Sequence, residues 1–256
     1  MNLWHAVILG MVEGITEFLP ISSTAHLMLA GRLLGLEKTS FLTTFEISIQ
    51  LGAILAVVSL YWRSFFVRLE ILKRITVAFL PTAVLALFFY KKIKQALDSD
   101  ATALWSLFIG GILLIAFERW HREKDSAEDD LSKMSYGQAF TIGLFQSIAL
   151  IPGVSRAAAT IIGGLCLGFK RKTIVEFSFL LAVPTMMAAT GYELLKNASV
   201  FSKDQFSALA VGGIVSFVVA ILSIRLLLRF IQNHNFTWFG FYRIAIALIF
   251  WLFIVR

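Results

Sequence analysis

The amino-acid sequence predicts an all-α protein that crosses a membrane several times. Of its 256 residues, 58% are apolar and 15% are charged, and the mean hydropathy of +0.81 is too high for an ordinary soluble domain. Several apolar runs are long enough for a transmembrane helix, which needs about 20 residues. Two further apolar stretches are interrupted by proline and serine.

Charge and cysteine content exclude other classes of protein. The formal charge of +7 does not indicate nucleic-acid binding, because basic residues of membrane proteins collect in cytoplasmic loops. The single cysteine, Cys166, excludes an intrachain disulfide and a thiolate metal cluster. The first residues lack the basic region and cleavage site of a signal peptide, so we expect none to be removed.

The chain starts with two apolar segments that are each too short to cross a bilayer. They cover residues 3–19 and 25–36, and Pro20 with the following serines divides them. Because proline disfavours helix at the preceding residue, the first helix should end near Leu19. We therefore expect a re-entrant hairpin, whose non-helical tip must be buried in protein or face water.

Three full spans and a charged connector follow this hairpin. The spans are predicted at residues 41–61, 75–90 and 102–118. Pro81 should kink the second span. The connector runs from Arg119 to Lys133 and is the longest polar segment.

The second half repeats this order of elements. Residues 138–150 and 156–168 are short apolar segments separated by Pro152-Gly153-Val154-Ser155, which predicts a second re-entrant hairpin. Three more spans are predicted at residues 174–195, 207–228 and 238–255. Each half therefore consists of one hairpin and three transmembrane helices.

The halves also align residue by residue. The matched pairs are Gly10 with Gly143, Glu13 with Gln146, Pro20 with Pro152, Ser23 with Ser155, Glu46 with Glu176, and Ser48 with Ser178. Because three spans are an odd number, the second half starts on the opposite side of the membrane and the halves form an inverted repeat. Such folds have their sites near the membrane midplane, so we expect the two hairpin tips to meet there.

The whole chain, 1–256, is thus predicted to be one membrane domain. It contains a first repeat over 1–120, a cytoplasmic connector over 121–137 and a second repeat over 138–256. The side richer in basic residues should be cytoplasmic, and the first hairpin then opens to the outside. The richer side holds Arg63, Arg68, Lys73, Arg74, Arg119, Arg122, Lys124, Lys133, Lys170, Arg171, Lys172, Arg225 and Arg229. The other side holds Arg32, Lys38, Lys91, Lys92, Lys94, Lys196, Lys203 and Arg256.

A pair of carboxylates lies in the first hairpin, within the segment EGITEFLPISSTAH at residues 13–26. Glu13 and Glu17 are four residues apart and share one face of a helix. Two ionised carboxylates one turn apart repel each other and need a cation in apolar surroundings. The pair therefore indicates a divalent-metal site.

Hydroxyl groups and a histidine follow the carboxylates. Ser22, Ser23 and Thr24 should cap the second helix, and the free N–H groups at such a helix start attract phosphate. His26 lies three residues after Ser23 on the same side of that helix. The whole segment predicts a phosphate and metal site that requires a positive partner.

The second hairpin supplies that partner within the segment IPGVSRAAATI at residues 151–161. Ser155 should cap the helix after the break, which puts Arg156 in its first turn. An arginine without a partner in the membrane is costly, and its planar group suits bidentate contact with phosphate. Thr160 lies four residues later on the same face.

These motifs resemble those of the undecaprenyl-diphosphate phosphatases, also called bacitracin-resistance proteins. The resemblance is carried by Glu13-Gly14-x-Thr16-Glu17-Phe18-Leu19-Pro20-x-Ser22-Ser23-Thr24-Ala25-His26 and Pro152-Gly153-x-Ser155-Arg156-x-x-x-Thr160. Residues 45–58 and 177–184 are similar to the family as well, so the resemblance covers nearly the whole chain.

The resemblance implies removal of the terminal phosphate from undecaprenyl diphosphate in the bacterial cytoplasmic membrane. This reaction recycles the lipid carrier of peptidoglycan synthesis and confers bacitracin resistance. It also implies a divalent cation, Mg²⁺ or Ca²⁺, re-entrant hairpins and a site reached from the outer face. The expected partners are the polyprenyl diphosphate and membrane lipid, with a homodimer as an alternative to a monomer and no nucleic acid.

Two positions depart from the family pattern. Ala157-Ala158 stands where family members usually have Ser-Gly, so a hydroxyl donor to phosphate is missing. Ala25 replaces the glycine that commonly precedes the histidine. Neither change removes a residue to which we assign chemistry.

The residue types suggest a mechanism. Glu13 and Glu17 would hold the cation against the diphosphate oxygens, and Arg156 with the helix-start N–H groups would take up the developing charge. Ser23 would attack the terminal phosphorus, while His26 accepts its proton or protonates the leaving group. Direct attack by His26 or by water activated at the cation is the alternative. Ser22, Thr24, Ser155 and Thr160 would bind substrate.

Structural roles compete with several of these assignments. Glu13 and Glu17 could be solvated at a mouth or could cap a helix. Ser22 could serve only as a helix cap, whereas Ser155 could both cap its helix and donate to phosphate. Thr160 could bond back to its own helix.

Four other polar residues lie within or near the predicted spans. We interpret Glu46 and Glu176, at matched positions, as structural pairing groups. Gln50 either faces the site or packs in the core. Arg243 is expected to extend its guanidinium group to the membrane surface.

Three other functions compete with the phosphatase. A transporter or flippase of the polyprenyl phosphate carrier would share the inverted-repeat architecture. The lipid phosphatases related to phosphatidic-acid phosphatase require a histidine and an aspartate after their Ser-Arg pair, and residues 157–169 contain neither. A protein that only binds a ligand would leave the intramembrane charges unexplained.

Overall fold

The computed structural model describes residues 1–97, 99–196 and 203–254. In these ranges the chain folds into α-helices joined by short turns. The helices are α1 (Leu3–Thr16), α2 (Ser23–Leu33), α3 (Ser40–Phe66), α4 (Leu69–Leu97), α5 (Asp100–Trp120), α6 (Tyr136–Ser147), α7 (Arg156–Cys166), α8 (Arg171–Lys196), α9 (Lys203–Phe230) and α10 (Thr237–Ile254). Single 3₁₀ turns are formed by Leu131–Lys133 and Ile148–Leu150.

Five of these helices are long and apolar enough to cross a membrane, which confirms the prediction of an all-α multi-pass membrane protein. They are α3, α4, α5, α8 and residues 205–230 of α9. The described part of α10 belongs with the shorter apolar helices, so the sixth predicted span stays a prediction. Pro81 lies inside α4, which continues past it.

Each half of the chain has two short helices followed by three longer ones, of which the described part of α10 is too short to count as a full span. The helix α1 packs against α9, and α6 packs against α4. The helix α3 contacts both α8 and α9, while α5 pairs with α10. These contacts bring the turn between α1 and α2 into the same core as the turn between α6 and α7. The inverted repeat and its boundaries stay predictions.

The connector is held at one end of the bundle. Glu128 pairs with the loop after α7: its N–H donates to the carbonyl of Gly168 at 2.9 Å, and its carbonyl accepts from Lys170 N at 2.9 Å. The Lys170 ammonium group also bonds to the carboxylate of Asp129 at 3.1 Å, which lowers the pKa of Asp129. The segment between the halves is therefore tied to the second hairpin.

Glycine allows the closest approach between α3 and α9. A Cβ atom added to Gly52 would stand 2.1 Å from the carbonyl oxygen of Gly213, where no real Cβ atom fits. Small residues are what lets membrane helices pack with their backbones in contact, because lipid supplies no hydrophobic force between helices. Gly52 therefore determines how near α9 lies to the centre of the bundle.

Substitution of Gly52 by alanine should destabilise the protein, whereas the same change at Gly213 should be tolerated. The new methyl group of Gly52→Ala meets backbone, and overpacking of this kind costs about 1–3 kcal/mol. Within the described part of the chain, a Cβ at Gly213 meets no atom within 4 Å. Thermal unfolding in detergent measures both variants, and equal melting temperatures would contradict the close contact of α3 with α9.

Candidate active site

The first helix break lies between Thr16 and Ser23. The helix α1 ends at Thr16, three residues before the predicted position, and turns occupy the residues up to Ser22. Ser22 has a φ of 70°, in the left-handed region that side chains other than glycine rarely adopt. Strain of this kind typically persists where the surrounding structure requires it, often at functional sites.

The expectation that the Ser22 side chain caps α2 is wrong. Ser22 occupies the position before the first helical residue, but its hydroxyl makes no capping hydrogen bond. Its unusual backbone conformation does not present the hydroxyl to the N–H groups of the first turn. The side chain instead lines a cavity between the two breaks.

The second break contacts the first. The hydroxyl of Ser155 accepts a hydrogen bond from Ala158 N at 3.2 Å, so the predicted cap of α7 is confirmed. The same hydroxyl donates to the carbonyl of Leu19 in the first break at 3.4 Å. Ser155 therefore both starts its own helix and joins the two breaks.

A buried ion pair links the breaks more strongly. Arg156 Nη2 lies 3.3 Å from Glu17 Oε1, and its Nε lies 3.4 Å from the same oxygen. The side chains of Arg156 and Glu17 are 11% and 7% exposed. The remaining terminal nitrogen of Arg156 donates to the carbonyl of Ser178 at 2.7 Å. These contacts confirm that the two hairpin tips meet, and their position at the membrane midplane stays a prediction.

Glu17 also accepts a hydrogen bond from the hydroxyl of Ser23. The Ser23 Oγ atom donates to Glu17 Oε2, on the opposite side of the carboxylate from Arg156. A carboxylate that accepts a serine hydroxyl is arranged to take its proton. Ser23, Glu17 and Arg156 thus form one continuous chain of contacts.

His26 faces away from this chain. Its Nδ1 atom lies 2.8 Å from the carbonyl of Ser22, so Nδ1 carries the proton and Nε2 is the acceptor. Nε2 lies 2.9 Å from the hydroxyl of Tyr242, whose ring stacks on the imidazole with centroids 5.6 Å apart. The hydrogen bond from Ser23 to His26, which the serine mechanism expected, is not formed because both partners are occupied elsewhere.

Glu13 is completely buried one helical turn before Glu17. Among the described residues, neither of its carboxylate oxygens has a hydrogen-bond partner. The charges of Glu17, Glu46 and Arg156 act on it electrostatically. A buried carboxylate with two unused oxygens is costly. Its donor chemistry fits a hard cation such as Mg²⁺ or Ca²⁺, although the described residues contain no cluster of three histidine, cysteine or acidic ligands.

Thr160 contacts the helix backbone and the serine next to Arg156. Its hydroxyl is fully buried and lies 3.0 Å from the carbonyls of Arg156 and Ala157. It also contacts the hydroxyl of Ser178 at 2.6 Å. The bond back to its own helix, which the sequence left as the alternative, is thus formed, and Thr160 lies outside the cavity lining.

The two breaks enclose a cavity of about 140 Å³. Six predicted residues are among those that line it: Glu17, Ser22, Ser23, Thr24, Ser155 and Arg156. Gln50 lines it too, whereas Glu13, His26 and Thr160 do not. The cavity is therefore polar on the side of the hairpin tips.

Sequence reasoning missed the opposite wall of this cavity. Gln146 Nε2 donates to the hydroxyls of Thr82 at 2.9 Å and Thr185 at 3.2 Å. The three side chains come from α6, α4 and α8. The alignment of Gln146 with Glu13 was the signal that could have pointed to this wall.

The expected surface position of Arg243 is wrong. Its side chain is 1% exposed, and its guanidinium group donates to backbone carbonyls in the interior. Those carbonyls satisfy the charge where it is, so the side chain does not need to reach water.

The fold and this cavity define a polytopic membrane protein with an internal polar site of the kind that binds an anionic head group. A family model described as bacitracin resistance protein BacA matches residues 6–249. The chain belongs to this family.

Close relatives are similar over their full length. A protein of Persephonella marina is 49% identical over 255 residues, which is 100% of both chains. One of Aquifex aeolicus is 49% identical over 98% of each chain, and one of Wolinella succinogenes is 47% identical over 98% of this chain and 97% of its own. Each of these relatives carries the name undecaprenyl-diphosphatase.

Proposed function

We infer that this protein is an undecaprenyl-diphosphatase, which hydrolyses undecaprenyl diphosphate to undecaprenyl phosphate and inorganic phosphate. This activity recycles the lipid carrier for peptidoglycan synthesis, and the family name fits resistance to bacitracin. The observation that carries the assignment is the buried chain Ser23–Glu17–Arg156 at one cavity. It combines a nucleophile, a proton acceptor and a phosphate-binding cation.

The contacts support a two-step transfer through Ser23. The Oγ atom of Ser23 forms a bond to the terminal phosphorus, the bond from that phosphorus to the bridging oxygen breaks, and undecaprenyl phosphate leaves. Glu17 takes the serine proton. Arg156 stabilises the charge on the equatorial oxygens. Water then cleaves the phosphoserine and releases inorganic phosphate.

His26 and water remain the alternative nucleophiles. Attack by His26 would require Nε2 to leave the Tyr242 hydroxyl, whereas the hydroxyl of Ser23 already points at a carboxylate. This difference favours Ser23. We assign His26 to the support of the first break through the carbonyl of Ser22.

Replacement of Ser23 by alanine should reduce phosphate release at least a hundredfold, because the nucleophile is lost. Glu17→Gln should cause a similar loss, because the amide accepts no proton. Incubation with undecaprenyl diphosphate followed by quenching with denaturant at neutral pH, which preserves both phosphoserine and phosphohistidine, should find phosphate on Ser23 of the wild-type protein by mass spectrometry. Near-normal turnover of Ser23→Ala, or phosphate mapped to His26, would overturn the serine route.

We propose that Glu13 and Glu17 hold Mg²⁺ or Ca²⁺. The cation, when bound, supplies positive charge for the diphosphate oxygens. The two unused oxygens of Glu13 support this role. The carboxylate of Glu17, which already contacts Ser23 and Arg156, would then also help to hold the cation.

Addition of Mg²⁺ or Ca²⁺ should raise the melting temperature of the wild-type protein in detergent, because a ligand of the native state stabilises it. Glu13→Gln should abolish this increase. The matched control is Glu176→Gln, which removes a carboxylate from α8 outside the cavity lining and should keep the increase. An unchanged increase in Glu13→Gln would contradict the proposed metal site.

Ser22, Thr24 and Ser155 are proposed to bind the diphosphate. All three line the cavity, and α2 and α7 both begin there, so backbone N–H groups are available to phosphate oxygens. Thr160 acts indirectly, because its hydroxyl contacts Ser178 beside Arg156.

Ser155→Ala and Ser135→Ala separate substrate binding from helix capping. Both serines cap a helix, so each substitution should cost about 1 kcal/mol of stability. Only Ser155→Ala should raise KM for undecaprenyl diphosphate, because Ser135 lies at the far end of α6. Equal KM values for the two variants would show that Ser155 only caps its helix and does not bind the substrate.

We further propose a bacterial cytoplasmic membrane location, with the cavity open to the outer face. The excess of basic residues on the connector side supports this orientation. In both halves two short helices precede three longer ones, which supports the inverted repeat. The same architecture keeps transport of the monophosphate as a second candidate function. Detergent micelles have no two compartments between which a lipid could be transported. Phosphate release in detergent would therefore identify an enzyme and not a transporter.

A further inference from the structure

Arg243 in α10 has an unusual environment for a charged side chain. It is 1% exposed and is the largest fully buried side chain in the described part of the protein. Within that part no carboxylate forms an ion pair with it. Its guanidinium group instead donates four hydrogen bonds, all to backbone carbonyl oxygens.

Two of these carbonyls belong to the two helix breaks. Arg243 Nη1 lies 3.2 Å from the oxygen of Pro20, and Nη2 lies 3.3 Å from the oxygen of Gly153. The other two are on α5: Nε donates to Leu107 at 3.3 Å and Nη2 to Ser106 at 3.0 Å. One side chain thus holds both hairpin tips against a long apolar helix.

The sequence leaves room for this guanidinium group. A Cβ atom at Gly110 would stand 2.1 Å from Arg243 Nη2, so any other residue at Gly110 would displace it. Carbonyls at a helix break have no intrahelical partner and must be satisfied in the interior. Arginine suits them because its donors form a rigid planar fork, whereas lysine carries all its donors on one nitrogen.

The carbonyls that Arg243 binds lie close in sequence to the reacting groups. Pro20 stands three residues from both Glu17 and Ser23, and Gly153 stands three residues before Arg156. Arg243 itself does not line the cavity. We propose that Arg243 is a positioning residue, which keeps the two breaks in register so that Ser23, Glu17 and Arg156 stay aligned. The catalytic part of this proposal rests on the phosphatase activity proposed above.

Arg243→Lys should lower kcat for phosphate release about a hundredfold, because small displacements of reacting groups cost this much, and should change KM little. Gly110→Ala, which displaces the guanidinium group without removing it, should have the same effect. The matched control is Arg171→Lys, because Arg171 is a half-buried arginine that Glu118 holds away from the cavity. It should lose stability but keep kcat.

Hydrogen exchange tests the proposal independently of activity. Arg243→Lys and Gly110→Ala should speed deuterium uptake in both breaks, in peptides over residues 17–24 and 151–157, while Arg171→Lys leaves both unchanged. If the wild-type protein releases no phosphate, the proposed function fails. Hydrogen exchange alone then decides whether Arg243 positions the two breaks. Unchanged exchange at either break, or a kcat loss no larger than that of Arg171→Lys, would overturn it.

Discussion

The buried contact between Glu17 and Arg156 is the interaction on which the rest of the site depends. Each residue belongs to a different half of the chain, and each lies where a helix stops or starts inside an apolar bundle. Removing two charges from water is costly, and their attraction offsets this cost only when further hydrogen bonds satisfy them. The hydroxyl of Ser23 donates a hydrogen bond to the carboxylate of Glu17, and the carbonyl of Ser178 accepts one from the guanidinium group of Arg156. The ion pair and the two helix breaks therefore stabilise one another.

Further contacts explain how the interior of a membrane protein can contain two interrupted helices. Non-helical backbone within the bundle leaves N–H and C=O groups that lipid cannot satisfy. Here those groups meet protein partners: Leu19 accepts from Ser155, and Pro20 and Gly153 accept from Arg243. In the proposed phosphatase, the remaining N–H groups at the starts of α2 and α7 would bind the diphosphate. The protein contacts that satisfy the two breaks therefore also hold together the residues of the proposed phosphate site.

Much of the fold could be predicted because it depends on composition and on proline. Apolar runs determine the long helices, and Pro20 and Pro152 mark the breaks within a few residues. The Ser155 cap and the position of Arg156 at the start of α7 followed from local helix chemistry, which acts over neighbouring residues. The contact of Glu17 with Arg156 followed from charge balance, since each would otherwise be buried without a partner.

Side-chain partners across the bundle could not be predicted in this way. Spacing put His26 and Ser23 on one side of α2, but it could not show that Tyr242 and the carbonyl of Ser22 would occupy both ring nitrogens. The position of Arg243, one turn into α10, is compatible with either the membrane surface or the interior. Only the space that helix packing leaves beside Gly110, which the guanidinium group fills, decides between them.

A double-mutant cycle on Glu17 and Arg156 tests the central claim most directly. The free energy of unfolding in detergent is measured for the wild-type protein, Glu17→Gln, Arg156→Gln and the double variant. If the two side chains form the buried pair, the double variant loses less stability than the sum of the single losses, by more than about 1 kcal/mol. Losses that add within about 0.5 kcal/mol would show that the two breaks do not meet through these residues.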